Sequence, residues 1–217
     1  EIFGDGFATL WFADRMTFTN LVIELGGKCG LMPCDDTLRE WLHGRVEGEI
    51  EGVAADDDAV YCQTVEVDLD KLCPQVAKPH KVDNVTPIAE VEGTPVQHAI
   101  IGTCTNGRIE DLEVAARILD GKKIAHGMTL TISPASKAVY IEAIHRGYVE
   151  TFLRAGATIA IPGCSGCSGG AYVGIPADGE AVITTANRNF KGRLGNANSF
   201  LYLASPATVA ASALTGC

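Results

Sequence analysis

The chain has 217 residues, of which 47% are hydrophobic, 20% charged and 6% aromatic, an ordinary balance for a globular α/β protein with one large or two small cores. Its formal net charge of −10 argues against a footprint on nucleic acid or an anionic membrane, since both need clustered Lys and Arg. No apolar run approaches the roughly 18–20 residues of a membrane span and no signal-peptide pattern opens the chain, so a cytoplasmic protein is expected. The start at Glu1 without a methionine suggests a processed or excised piece.

The first segment places apolar residues at Phe18, Leu21, Val22 and Leu25, which is helical spacing, and Gly26-Gly27 stops it. Asp35-Asp36-Thr37 reads as the cap of a second short helix through Leu42. Val65, Val67 and Leu69 alternate with acidic residues, which predicts a half-exposed strand. From 73 to 95 the prolines Pro74, Pro79, Pro87 and Pro95 interrupt any regular pattern, so this stretch is expected to link a partial α/β subdomain (1–72) to a second one (96–217).

Beyond the linker, strands and helices alternate. A strand from His98 to Thr103 leads into a helix with apolar residues at Ile109, Leu112, Ala116 and Leu119. A strand through Met128, Leu130 and Ile132 precedes one long helix running to Phe152, which Gly156 closes. Ala157 to Ile161 forms a strand, Ala181 to Thr185 another, and Ser205-Pro206 caps a final helix through Leu214. The alternation implies a mostly parallel sheet covered on both faces.

Of eight cysteines, Cys29, Cys34, Cys62, Cys73 and Cys217 are scattered and read as small buried hydrophobes or spare thiols. Cys104, Cys164 and Cys167 differ, because each sits in a glycine-containing turn directly after an apolar run. In a parallel sheet such turns gather at one edge and can face each other across a crevice. A Cys-x-x-Cys pair alone is ambiguous among zinc, redox and iron–sulfur chemistry. Structural zinc wants four ligands, so Cys34 or a histidine would have to complete the set. A thioredoxin-like dithiol would open a helix, whereas Ser168-Gly169-Gly170 is poor helix material. Three thiolates with one position open is the arrangement of a [4Fe–4S] cluster that can bind a substrate. Arg188 and Arg193 flank a turn rich in Asn and Gly, where guanidinium groups can grip a carboxylate in an otherwise acidic chain. Asn106 and Arg108 stand where a helix begins, and its open amides favour negative charge.

The runs Ile101 to Leu112, Pro162 to Gly170, Asn187 to Arg193 and Tyr202 to Ala211 together resemble the aconitase superfamily. Within it the chain is most similar to the large-subunit family of 3-isopropylmalate dehydratase, with homoaconitase and dimethylmalate dehydratase as relatives. The resemblance covers essentially the whole chain and implies three-layer α/β/α subdomains with a mostly parallel sheet. It also implies that Cys104, Cys164 and Cys167 hold a [4Fe–4S] cluster, and that Asn187, Arg188 and Arg193 bind substrate carboxylates beside it. In aconitases an Asn and a Glu four residues apart lie near the cluster's open iron, and Asn20 and Glu24 occupy those positions; such a separation puts both on one helix face.

Two departures stand out. Relatives usually read Cys-Gly-Pro-Cys-Leu-Gly, whereas this chain reads Cys164-Ser165-Gly166-Cys167-Ser168-Gly169, so a less rigid loop and a more labile cluster are expected. Large subunits also carry a further stretch of similar size ahead of the matched region, with acid/base groups, and work with a small, swivelling subunit that brings a catalytic serine. The expected function is therefore that of a hydro-lyase in leucine biosynthesis, isomerising a hydroxy di- or tricarboxylic acid such as isopropylmalate, with this chain as the cluster-bearing half. The alternatives are a non-catalytic cluster-binding or apo module, or a zinc or dithiol protein that reuses the same turns.

Overall fold

The structure is a computed structural model that describes residues 1–164, 167 and 172–217. The chain divides into two compact units, Glu1–Leu72 and Cys73–Cys217. None of the described helices is long and apolar enough to cross a membrane.

In the first unit, α1 (Phe12–Leu21) tightens into a 3-10 turn at Val22–Leu25, and Gly26 ends it in the left-handed conformation at φ 81°. α2 (Asp36–Leu42) begins where the Asp35 carboxylate accepts from the Leu38 amide, as its sequence predicts. The centre of the unit is ionic rather than apolar. Arg15, only 4% exposed, donates from both Nη atoms to the Asp35 carboxylate at 2.6 and 2.8 Å and lies 3.9 Å above the Phe7 ring. Phe12 stacks on Trp41 at 4.0 Å. The strand expected over Val65–Leu69 does not form; residues 60–68 are irregular, and Leu69–Lys71 is a 3-10 turn. Val65 and Val67 remain exposed, and among the described residues no strand pairs with this stretch.

The second unit is built on a seven-stranded sheet in the order β2-β1-β7-β6-β3-β4-β5. β3 (His98–Ile101), β4 (Thr129–Ile132), β5 (Thr158–Ile159), β6 (Ala181–Thr184) and β7 (Phe200–Ala204) run parallel. β1 (Gln75–Ala77) and β2 (Val85–Pro87) add an antiparallel edge, β1 pairing with β7. Residues 73–95, expected as a linker, thus contribute two segments to the sheet. Their prolines sit outside the pairs or at the end of the edge strand β2, where a missing amide is tolerated.

The helices of this unit are α3 (Ile109–Leu119), α4 (Lys137–His145), α5 (Tyr148–Ala155) and α6 (Pro206–Thr215). The single long helix expected after Pro134 is broken between α4 and α5 by Gly147, whose φ of 79° an α-helix does not allow. α3 and α6 lie against each other, and together with Phe152 of α5 they cover Ala99, Ile101, Leu130, Ile132 and Ile183 on one face of the sheet. Because side chains alternate along a strand, Ile100, Val182 and Leu201 point to the opposite face, where Leu194 and Val173 cover them. The α/β class with a mostly parallel sheet is as the sequence implies.

Candidate functional site

The strand order places the site. From β3 the chain moves outward through β4 and β5, then returns to the other side of β3 for β6 and β7. The direction of winding therefore reverses between β3 and β6. In open α/β sheets the crevice outside the strand ends at such a reversal is where ligands bind. The turns that follow β3 and β6 carry Cys104 and Asn187-Arg188 respectively.

Both turns are tightly built. Gly102 has φ 104°, and a Cβ there would fall 1.9 Å from the Ser133 carbonyl oxygen; one on Gly107 would fall 2.3 Å from the same atom. Only glycine lets the β3 turn lie backbone to backbone on the end of β4. The Gly102 amide donates to Thr185 Oγ1 at 2.8 Å, and Thr103 Oγ1 accepts from the Asn106 amide at 3.3 Å. Asn106 then spans the crevice floor, its Nδ2 donating to the Thr185 carbonyl and to Asn187 Oδ1, both at 2.6 Å. Thr185 and Asn187 are buried, so this lacing is shielded from water. Sequence reasoning missed Thr185, although a threonine pair ending an apolar strand marks the place where side-chain hydroxyls can replace strand hydrogen bonds.

The third turn comes from β5. Ala160 and Gly163 donate their amides to the carbonyls of Ile132 and Pro134, both at 2.8 Å, and the Cys167 amide donates to the Cys164 carbonyl at 2.9 Å. This brings the Cys164 thiol against both Cys104 and Cys167. Burial pushes the Cys164 thiol above its ordinary pKa, and the two neighbouring thiols push it further, each disfavouring a second negative charge beside it. Cys104 and Cys164 are exposed and Cys167 is half-buried, so the group is open to solvent. Among the described residues no group of three or more His, Cys, Asp or Glu is arranged to hold a single metal ion. A [4Fe–4S] cluster asks for a different arrangement, with each thiolate on its own iron, and three converging thiols suit a cationic group of that kind. Ser165, Gly166 and Ser168–Gly170, on which the expected loop lability rests, lie outside the described residues.

Past Asn187 the chain turns through Gly192, φ 81°, with the Arg193 amide donating to the Phe190 carbonyl at 3.0 Å and the Arg193 guanidinium 5.1 Å from the Phe190 ring centre. The Nε atoms of Arg108 and Arg193 are buried without a hydrogen-bond partner among the described residues. Buried N–H groups of charged side chains are rarely left so, and each is a donor for an acceptor not supplied by the described residues. Asn20 and Glu24 belong to the first unit, Asn20 in the last turn of α1 and Glu24 in the 3-10 turn after it. Their separation of four spans the change from α-helix to 3-10 turn.

Residues 1–216 match the model of the aconitase family (aconitate hydratase), and the chain belongs to that family. It is 48% identical over its whole length to the 3-isopropylmalate dehydratase large subunit 2 of Archaeoglobus fulgidus, of which it covers 52%. It is 50% identical to the probable methanogen homoaconitase large subunit of Methanosarcina mazei and 45% identical to the 3-isopropylmalate dehydratase large subunit of Clostridioides difficile, covering 54% and 52% of them. The chain thus spans about half the length of the curated relatives it matches.

Proposed function

We propose that this chain is the cluster-bearing half of an aconitase-type hydro-lyase large subunit, one that dehydrates and rehydrates a hydroxy di- or tricarboxylic acid such as isopropylmalate, as in leucine biosynthesis. The observation that carries the reading is the meeting of Cys104, Cys164 and Cys167 at the sheet's reversal point, where the Asn187-Arg188 turn also ends. The relatives' names support the reaction class and, being those of large subunits, a small-subunit partner. The proposal also includes the remaining half of the large subunit and a cytoplasmic setting.

In this reading Cys104, Cys164 and Cys167 hold a [4Fe–4S] cluster. When bound, that group supplies a Lewis-acidic iron for the substrate hydroxyl. The chain's own contribution is orientation. Arg188 and Arg193 bind the substrate carboxylates, Asn187 fixes the turn that presents them, and the tight β3–β4 backbone contact keeps the turn bearing Cys104 from shifting. Asn20 and Glu24 are proposed as catalytic residues from the resemblance of their segment. The acid and base that move the remaining protons come from outside this chain.

The test is an ultraviolet–visible spectrum with iron and sulfide analysis on protein purified without oxygen. The reading expects a broad brown absorbance and about four irons per chain, lost in Cys104→Ser. A colourless protein that resists reconstitution even with the rest of the enzyme present, or one that carries zinc, would sink it. In the complete enzyme Arg188→Ala should lower kcat/KM by about tenfold to a hundredfold, since a hydrogen bond to a charged group is worth about 1.5–3 kcal/mol.

A further inference from the structure

Asn189 is fully buried, yet nothing in the reaction outlined above uses it. The β1–β7 pairing stops at Ala77 and Leu203, and there the Asn189 amide takes over. Its Nδ2 donates to the Lys78 carbonyl at 2.9 Å, to that of Leu201 at 3.2 Å and, more weakly, to that of Ala77 at 3.5 Å. The three carbonyls dictate which way the amide faces, because turning it over would set an oxygen among oxygens. Its own Oδ1 is left buried and without a partner among the described residues.

This is an odd residue to keep for stability alone, since an orphaned buried acceptor works against folding. Its place in the chain supplies the reason. Asn187, two residues earlier, is pinned to the β3 turn through Asn106 at 2.6 Å, and Asn189 is pinned to β1 and β7. Arg188 stands between these two anchors and is itself half-buried. Anchoring both neighbours removes the backbone freedom that would otherwise let Arg188 swing away from the crevice. We infer that Asn189 is a positioning residue that holds Arg188 in its carboxylate-binding place by tying the arginine turn to β1 and β7. The inference rests on the reading of Arg188 as a carboxylate ligand.

The experiment is a double-mutant cycle in the complete enzyme, with Asn189→Ala, Arg188→Ala and the pair, following KM, kcat and thermal unfolding. Asn189→Ala should raise KM for the hydroxy acid by about tenfold or more, as Arg188→Ala does, while adding little to KM in the Arg188→Ala background. A role confined to the sheet would instead lower the melting temperature with KM unchanged, or give changes in KM that add, and either result would overturn the inference. If Arg188→Ala raises KM and Asn189→Ala does not, the inference alone fails; if Arg188→Ala leaves KM unchanged, the reading of Arg188 fails with it. Should Asn189→Ala not fold, Asn189→Ser, which keeps one donor, replaces it. Loss of folding in both would make the contact a requirement of the sheet and would also overturn the inference.

Discussion

Asn106 Nδ2 and Asn187 Oδ1 lie 2.6 Å apart, so one side-chain hydrogen bond joins the turn that carries a cysteine of the site to the turn that carries its arginine. The same Nδ2 also reaches the Thr185 carbonyl. Two acceptors are therefore satisfied by one amide. Asn106→Asp removes the donor and places a third acceptor between them, which should destabilise the unit by about 2–3 kcal/mol. Asn106→Ala removes the donor without adding repulsion and should cost less. Thermal unfolding checks the order: near 3 °C per kcal/mol, a drop of about 6–9 °C is expected for the aspartate. An aspartate variant as stable as the alanine one would show that the amide donor is not what joins the turns.

Glycines 102 and 93 make a controlled comparison. Both have positive φ, 104° and 82°, but a Cβ at Gly93 meets nothing within 4 Å while one at Gly102 collides with the backbone of Ser133. Gly93→Ala should cost only the left-handed strain, about 1 kcal/mol. Gly102→Ala adds a clash that no side-chain rotation relieves, and about 4 kcal/mol or more is expected, enough to remove most soluble protein. Soluble yield and urea midpoints of the two variants measure the difference.

Much of this arrangement is legible in the sequence, for a physical reason. A strand buried on both faces, such as Ala99-Ile100-Ile101, writes its position as an unbroken apolar run, and a glycine turn at its end marks where backbones must approach. Caps such as Asp35 and Ser205 are equally local, since the acceptor and the amide it satisfies lie three residues apart. What local pattern does not carry is pairing. β1 and β2 sit in a proline-rich stretch and are strands only because β7 offers β1 an edge. β7 itself, Phe200-Leu201-Tyr202-Leu203-Ala204, is an apolar run that lies directly before the cap of α6. Conversely Val65–Leu69 has the period of a strand, yet among the described residues no strand pairs with it. In the site, the three cysteines and the arginine turn are visible as residue types, whereas the Asn106–Asn187 and Asn189 contacts link residues 81 or more apart or join separate strands, and only the folded chain reveals them.

The ion pair at the centre of the first unit predicts a particular acid sensitivity. The Arg15 guanidinium, by hydrogen bonding to Asp35, holds that carboxyl below its ordinary pKa, while partial burial works the other way. A depressed folded-state pKa means that Asp35 contributes its full stability above the unfolded carboxylate value near pH 4 and loses it as pH falls through the lower, folded value. Asp35→Asn should cost about 1–2 kcal/mol at pH 7, the solvent-facing side of Asp35 reducing the worth of a fully buried pair. The variant should lose that difference from the parent below pH 4. Tryptophan fluorescence of Trp41, stacked on Phe12 in the same unit, reports the transition. A gap that persists unchanged into strong acid would rule out the carboxylate as its source.

At the amino ends of the parallel strands a different polar group performs a structural task, and it separates stability from activity. His98 Nδ1 lies 2.7 Å from Thr129 Oγ1 and its Nε2 lies 2.8 Å from Glu180 Oε2, so one imidazole joins the starts of β3 and β4 to the residue that precedes β6. Glu180 also accepts from the Ala177 amide at 2.7 Å. The bond to His98, more than that to Ala177, holds the Glu180 carboxyl below its ordinary pKa despite some burial. As with Asp35, the stability so gained is present above the unfolded carboxylate value, near pH 4.3, and is lost as pH falls through the folded one. Glu180→Ala should therefore lower stability at pH 7 by about 1–2 kcal/mol, discounted for a side chain one-third exposed, and Glu180→Gln should lower it less because it keeps an acceptor for Ala177. In the proposed reading the strand ends opposite the crevice lie away from the binding site, so both variants should keep the parent's iron content and, in the complete enzyme, its KM. Melting curves at pH 7 and pH 4 together with iron analysis decide the matter. A Glu180→Ala protein that melts like the parent, or one that loses iron while its melting is unchanged, would show that this triad does something other than fasten the sheet.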